Sequence, residues 1–375
     1  MPSKFAYGII LRWLKSPLTP VQATQVTGDF KQTICCQKGY GDFMEERQWY
    51  KGDTHMHTIN SDGVLTKGQL VDKCKKAGLD FMIITDHNFN SVEKTYFDKD
   101  MLVIQGQELT DEPGHVNIWG KKVPFDPPHK LDTAEDYRRY INACKNVGAV
   151  VSLNHPFCSN CPFRLEPEDY PFDCVEVWNT IQHSDNIKNM EWWHSQLLQG
   201  KHIPAVGGSD FHRDYGINFL AMPTTYVNAK SKSEKDILEA ICEGRCFVTN
   251  TPNSTTLFLH CGDAEIGDTV KLAENNRLEV RVSDFKKGHT LKVYNNDRII
   301  FERTAEKSAE GYIAEVELEE KGFVRAEITY RFNPLIEKVY AFAEKKFLSS
   351  RGVKSGDSLT LPDFFYAFTN PIWIE

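Results

Sequence analysis

The sequence contains no run of 18 or more apolar residues, so no helix that crosses a bilayer is expected. It also has no excess of positive charge. Its 44 Lys and Arg stand against 52 Asp and Glu, a formal net charge of −8, the wrong sign for a surface that neutralises an extended nucleic acid. Internal repeats and low-complexity tracts are missing, as is a second Cys-x-x-Cys to complete a structural zinc site with Cys158 and Cys161. The apolar segment from Phe5 to Leu14 is interrupted by Arg12 and followed by Lys15 instead of a small-residue cleavage site. It therefore reads as a buried strand or short helix, not as a secretory signal. Ten scattered cysteines, including the adjacent Cys35 and Cys36, suggest reduced thiols and a cytoplasmic protein.

Against these absences stand 41% hydrophobic residues, 26% charged residues and 23 Phe, 14 Tyr and 7 Trp, which is ordinary globular composition. A chain of 375 residues points to two domains. Residues 1–48 show no clear period and receive no role. From 49 to 251, short apolar runs alternate with helical patterns, as in β/α units. The helix from Thr66 to Ala77 opens with the capping pair Thr66 and Gln69 and stops at Gly78. Further helices are expected over Thr133 to Val147, Asp185 to Leu198 and Ser233 to Cys242, with strands at Phe81 to Thr85, Met101 to Ile104, Ala149 to Leu153, Cys174 to Trp178 and Ile203 to Val206. Short strands between helices imply a parallel sheet or barrel. From 252 to 375, alternation such as Leu278, Val280 and Val282 against Glu279 and Arg281 implies an antiparallel β domain.

Chemistry-bearing residues gather at strand ends. His87, His155, and Asp210 with His212 each follow an expected strand; Glu108 follows an apolar run, and His115 comes seven residues later. In parallel β/α folds the carboxyl ends of strands share one rim. His55 and His57 are spaced i, i+2, so on extended backbone both rings face one side, and Asp62 follows in a Ser61-Asp62-Gly63 turn. A lone His-x-His or Thr-Asp-His is as compatible with a turn or helix cap as with a metal site. Nine His, Asp and Glu side chains at the ends of successive strands are not. Imidazoles with carboxylates suit Zn²⁺, Mn²⁺ or Fe²⁺, and nine donors exceed the needs of one ion and fit two or three. Trp192 and Trp193 read as packing residues, and His183, His194 and His202 as surface or packing residues.

Asp53-Thr54-His55-Met56-His57-Thr58 with Ser61-Asp62-Gly63, Thr85-Asp86-His87, Gly106-Gln107-Glu108, Gly114-His115, Asn154-His155-Pro156 and Gly208-Ser209-Asp210-Phe211-His212 resemble the ordered motifs of the PHP (polymerase and histidinol phosphatase) superfamily. The resemblance covers about residues 49–251. It implies a mixed α/β chain with a distorted seven-fold, TIM-like β/α barrel, followed here by an antiparallel β-sandwich-like domain. It also implies that His55, His57, Asp62, His87, Glu108, His115, His155, Asp210 and His212 bind two or three divalent ions, with Glu108 as the bridge. Some members carry a further histidine where this chain has Gly63, so Asp62 has to take that role if a third ion is bound. The layout looks like the stand-alone hydrolase branch, some of whose members are similar to carbamate hydrolases.

The expected function is a metal-dependent hydrolase in which metal-bound hydroxide attacks phosphorus in a small phosphorylated metabolite or nucleotide. Arg213 is a candidate to neutralise phosphoryl charge, with a solvated surface arginine as the alternative. Asp86 is a candidate for orienting a ligand or for proton transfer, with a structural cap as the alternative. A carboxylic or carbamic ester is the alternative substrate for the same centre. A non-catalytic metal-binding regulatory module is the rival of another class. The expected partner is a small molecule, with neither extended nucleic acid nor membrane, and the sequence leaves the oligomeric state open.

Overall fold

A computed structural model describes residues 47–375, apart from 124–132, 181–182, 215–218, 336, 339–341 and 343–362. The segment 1–46, with its Phe5 to Leu14 run and Cys35-Cys36, lies outside the described residues. Residues 47–375 form one compact unit. No helix among the described residues is long and apolar enough to cross a membrane.

Local rules set the four described helices. Lys67–Ala77 is capped by Thr66, which exchanges both capping-box hydrogen bonds with Gln69, and ends at Gly78 in the left-handed conformation. Thr133 and Ser233 cap Ala134–Asn146 and Glu234–Cys242 through Asp136 N and Asp236 N. The fourth helix is His183–Leu198. Tyr137, Tyr140, Ile141 and Cys144 of one helix and Met190, Trp193 and Leu197 of another pack onto Val116, Ile118, Val151, Leu153 and Val175 of a sheet. Trp193 is fully buried, and its Nε1 donates to Ile203 O at 2.7 Å, so it packs as expected.

Three sheets carry the strands among the described residues. The largest has twelve. Its path runs Thr269–Val270, Ile372–Ile374, Gly322–Tyr330, Phe364–Thr369, Cys246–Thr249, Thr224–Ala229, Gln48–Asp53, Phe81–Ile83, Met101–Ile104, Tyr96–Asp98, and His289–Asn295 with Arg298–Thr304 branches from Gly322–Tyr330. A five-stranded sheet orders Gly106–Asp111, Gly114–Trp119, Val150–Leu153, Cys174–Asn179 and Ala205–Gly208. The third sheet orders Ala264–Glu265, Leu257–Cys261, Arg277–Phe285 and Ala309–Glu317, all antiparallel. Its Leu257, Leu259, Leu278 and Val280 share a core with Val293, Val324, Ile328 and Ala367 of the large sheet. Strands on both sides of residue 252 belong to that large sheet, because Cys246–Thr249 pairs with Phe364–Thr369.

Two local expectations shift. Gly106–Asp111 and Gly114–Trp119 form an antiparallel hairpin, so Glu108, which follows the parallel strand Met101–Ile104 as expected, itself sits inside a further strand opposite Asn117. The Glu112-Pro113 turn leads into Gly114 at φ 136°, which only glycine adopts readily, and leaves no chain for a crossover helix. The strand expected from Ile203 is instead Ala205–Gly208, because Pro204 has no N–H for the ladder.

A buried polar group joins helix His183–Leu198 to the large sheet. Arg325 donates from Nε to His194 Nδ1 at 2.9 Å and from Nη1 to Glu327 Oε2 at 2.9 Å, and Tyr294 OH donates to Glu327 Oε1 at 2.8 Å. Burial and then the Arg325 charge depress the His194 pKa to about 4. The folded state therefore binds fewer protons than the unfolded state between about pH 4 and 6.5, and stability is lost as pH falls through that window. Acidification from pH 7 to 5 is expected to cost about 1 kcal/mol through this group, after discounting for partial solvent exposure. Urea unfolding of wild type and His194→Gln at both pH values checks it, the variant losing that increment.

Candidate metal centre

The site is assembled by backbone pairing between loops that follow strands. Asp53, fully buried at the end of Gln48–Asp53, accepts from Ser209 N at 3.0 Å, Ser209 Oγ at 2.5 Å, His55 N at 3.3 Å and Ala221 N at 2.9 Å. Met56 and Phe211 form a parallel bridge, with His57 N donating to Phe211 O at 2.9 Å. Extended backbone alternates faces, so His55 and His57 fall on the side shared with Asp210 and His212. A second parallel bridge joins His87 to Glu108. Asn154 N donates to His115 O at 3.1 Å, placing His155 beside His115. His155 and Asp210 have φ of 27° and 48°, a backbone strain that non-glycine residues hold only where surrounding contacts enforce it.

All nine candidate ligands converge. Fully buried Glu108 is central. Its Oε1 lies 3.3 Å from His55 Nε2, 3.1 Å from His115 Nδ1 and 3.7 Å from His155 Nε2, and its Oε2 lies 2.8 Å from His87 Nδ1 and 3.6 Å from His57 Nε2. Asp210 Oδ1 lies 3.0 Å from His57 Nε2, 3.3 Å from His55 Nε2 and 3.5 Å from His212 Nδ1. Yet His55 Nε2, His57 Nε2 and Asp210 Oδ1 are buried and make no aligned hydrogen bond. Buried polar atoms that converge without pairing are costly unless something sits among them. A cation fits this donor set of imidazoles and carboxylates, which is the set that Zn²⁺, Mn²⁺ and Fe²⁺ take.

Within the group, neighbouring charges oppose burial at the carboxylates. Burial alone would raise the pKa of Glu108, but the His115 and His55 charges hold it well below the usual carboxylate range. Burial likewise opposes ionisation of Asp210, and His55 and His212 overcome it. His57 is driven down to about 4 by burial, which leaves its lone pair free for a metal at neutral pH.

Asp62 reaches the group from its turn, with Oδ1 3.0 Å from His212 Nε2 and 3.4 Å from His87 Nε2. A Cβ on Gly63 would lie 2.4 Å from His57 O, so a histidine at 63 does not fit this backbone, and Asp62 supplies the donor beside His57, His87 and His212. Asp86 accepts from Thr58 N at 2.6 Å, Thr58 Oγ1 at 2.7 Å, Ser61 Oγ at 2.7 Å and, closely, Ser91 Oγ. Three of these donors tie it to the loop that carries His57. Arg213 is exposed, and its Nη2 donates to Asp62 O at 3.1 Å.

Glu176 and Thr110 lie outside the sequence motifs, and Asn154, within one, gains a role the motif did not assign. Glu176 Oε1 lies 2.9 Å from His55 Nδ1, a carboxylate that fixes the imidazole and leaves Nε2 for a metal. Asn154 Nδ2 donates to Glu108 Oε1 at 3.0 Å, and Thr110 Oγ1 lies 2.6 Å from His87 Nδ1. Glu176 interrupts the apolar strand Cys174–Asn179, and a carboxylate fully buried in such a strand is the one signal that could have flagged it.

Gly208 makes room for this arrangement. A Cβ there would lie 2.4 Å from His55 Cβ and 2.5 Å from Glu176 Oε1. Gly208→Ala is expected to destabilise the fold by about 2 kcal/mol through overpacking and to lower metal occupancy, read by denaturant unfolding and by metal analysis of the folded fraction.

No family model matches the chain, and no curated protein matches it. Solved structures do, at low identity. A two-domain protein from Bacteroides vulgatus containing a predicted PHP-like metal-dependent phosphoesterase is 20% identical, with 78% of this chain and 93% of that one covered and a TM-score of 0.46. A candidate metal-dependent phosphoesterase from Bifidobacterium adolescentis is 17% identical, covering 43% and 87%, with a TM-score of 0.32. An amidohydrolase from Chromobacterium violaceum, solved with sulfate and no metal, is 12% identical, covering 44% and 88%, with a TM-score of 0.32.

Proposed function

We propose that the chain is a metal-dependent hydrolase of the PHP type, a phosphoesterase for a small phosphorylated metabolite or nucleotide. The observation that carries this reading is the convergence of nine imidazole and carboxylate side chains in which the buried His55 Nε2, His57 Nε2 and Asp210 Oδ1 make no aligned hydrogen bond. In the same reading, the strands leading to these residues are staves of a distorted seven-fold β/α barrel, with the site at their carboxyl rim. The antiparallel strands after residue 252 form a sandwich-like domain.

Two or three divalent ions bound by the nine residues would supply Lewis acidity that lowers the pKa of water from about 15.7 toward neutrality and offsets charge on phosphoryl oxygens. The chain's own residues do the rest. Glu176 keeps His55 in the tautomer with its proton on Nδ1. Asp86 is a positioning residue, since its oxygens are occupied by Thr58, Ser61 and Ser91. Arg213, tethered through one nitrogen to Asp62 O beside His212, has further N–H groups to offer a phosphoryl oxygen.

The test is a panel of phosphomonoesters, nucleotides, carboxylic esters and carbamates given to Mn²⁺-loaded and Zn²⁺-loaded protein. Metal-dependent phosphate release, lost in His57→Ala, is expected. Ester or carbamate cleavage without phosphate release would replace phosphorus by carbon as the atom attacked, and no turnover on any class would contradict the hydrolase.

A further inference from the structure

His155 is held on its Nδ1 side by sulfur. Its ring is buried and its Nε2 faces Glu108, while Cys161 Sγ lies 3.9 Å from its Nδ1. Cys158 also reaches the ring, and the two sulfurs stand 3.2 Å apart as thiols. The loop around them is pinned. Cys158 N donates to His155 O at 2.9 Å, and Ser159 N and Oγ donate to the Asp185 carboxylate at 2.7 and 2.6 Å. An imidazole that binds a metal through one nitrogen generally donates its other N–H to an acceptor that fixes the ring. For His55 that acceptor is Glu176; for His155 it is a pair of thiols, which redox chemistry can change.

We propose that Cys158 and Cys161 form a reversible thiol–disulfide switch that sets how firmly His155 holds a metal ion, with a small-molecule disulfide as the oxidant. Cys161 is the partly exposed member and Cys158 the buried one, so attack begins at Cys161. Its sulfur bonds to one sulfur of the oxidant, whose S–S bond breaks to release a first thiol. Cys158 sulfur then bonds to Cys161 sulfur and releases the second. The two protein sulfurs are oxidised, the two reagent sulfurs are reduced, and both cysteine protons leave on the released thiols. Bond closure brings the sulfurs from 3.2 Å to about 2.05 Å. Sulfurs bonded to each other are poorer acceptors for His155 Nδ1–H, so the ring loses its anchor.

The switch rests on the metal-centre reading, and its test separates the two. Full-length protein loaded with Mn²⁺, a metal that does not favour thiolate ligands, is treated with excess glutathione disulfide and then challenged with a chelator. The peptide containing both cysteines is expected to lose about 2 Da, and Mn²⁺ release to accelerate about tenfold or more, both reversed by dithiothreitol. Cys161→Ala, which removes the attacking sulfur, is expected to show no 2 Da loss and no oxidant-dependent change in Mn²⁺ release. Thiols that stay unpaired under excess oxidant, or a disulfide that leaves Mn²⁺ release unchanged, would overturn the switch. Folded, reduced protein that binds no Mn²⁺ would contradict the proposed function and remove the gating with it, while the mass change still reports the pairing.

Discussion

Glu108→Gln is expected to lower kcat/KM by about 10³-fold or more, equivalent to roughly 4 kcal/mol of transition-state stabilisation, and to reduce bound metal. The reason is its position. One buried carboxylate faces His55, His115 and His155 through Oε1 and His57 and His87 through Oε2, so it is the group that five of the other candidate ligands share. Glutamine keeps the shape and can still accept from Asn154 Nδ2, but it brings one neutral oxygen where two anionic ones stood. A metal that binds only the folded state adds stability in proportion to its occupancy, about 2.7 kcal/mol at a hundred times Kd. The variant is therefore expected to unfold near the wild-type temperature without metal and to lose most of the metal-induced rise in Tm. A metal-induced rise equal to that of wild type would show that Glu108 binds no ion.

Glu176→Gln separates orientation from ligation. Glu176 sits behind His55, 2.9 Å from Nδ1, and Asn179 Nδ2 donates to its other oxygen at 3.0 Å. Burial would lower the His55 pKa, but the Glu176, Asp210 and Glu108 charges raise it well above the usual histidine value. Removing the Glu176 charge weakens the basicity and the orientation of the imidazole while leaving every ligand in place. The expected cost is about 10- to 100-fold in metal affinity or activity, recovered in part by raising the metal concentration. Metal titrations of wild type and variant, followed by activity at saturating metal, would show whether the loss lies in binding. A loss of activity with unchanged metal affinity would place Glu176 in another role.

Much of this centre was legible in the sequence because its residues lie in short polar motifs that interrupt apolar runs. His55-Met56-His57 and Asp210-Phe211-His212 each alternate donor, apolar residue and donor, and Met56 and Phe211 are the buried partners in the bridge that aligns them. Helix limits were legible for an equally local reason, since Thr66, Gln69 and Gly78 satisfy terminal backbone groups within the helix itself. What escaped depends on distant chain. Glu176 gains meaning only when Cys174–Asn179 lies beside the loop after Gln48–Asp53. The hairpin around Glu108 was hidden because its first strand, Gly106–Asp111, carries Gln107, Glu108, Thr110 and Asp111 and so shows no apolar run that would mark it. The large sheet that joins Cys246–Thr249 to Phe364–Thr369 pairs residues more than a hundred positions apart, which no local pattern announces.

The most direct test of the metal centre is the number of metal equivalents per chain, measured by mass spectrometry on folded protein after Mn²⁺ or Zn²⁺ loading, beside folded His87→Ala. His87 Nε2 faces Asp62 and its Nδ1 faces Glu108, so its loss opens one side of the cluster without removing the Asp53 and Asp86 hydrogen bonds that hold the loops. Two or three equivalents in the wild type, with fewer in the variant, are predicted. Folded wild-type protein with no stoichiometric metal would contradict the account.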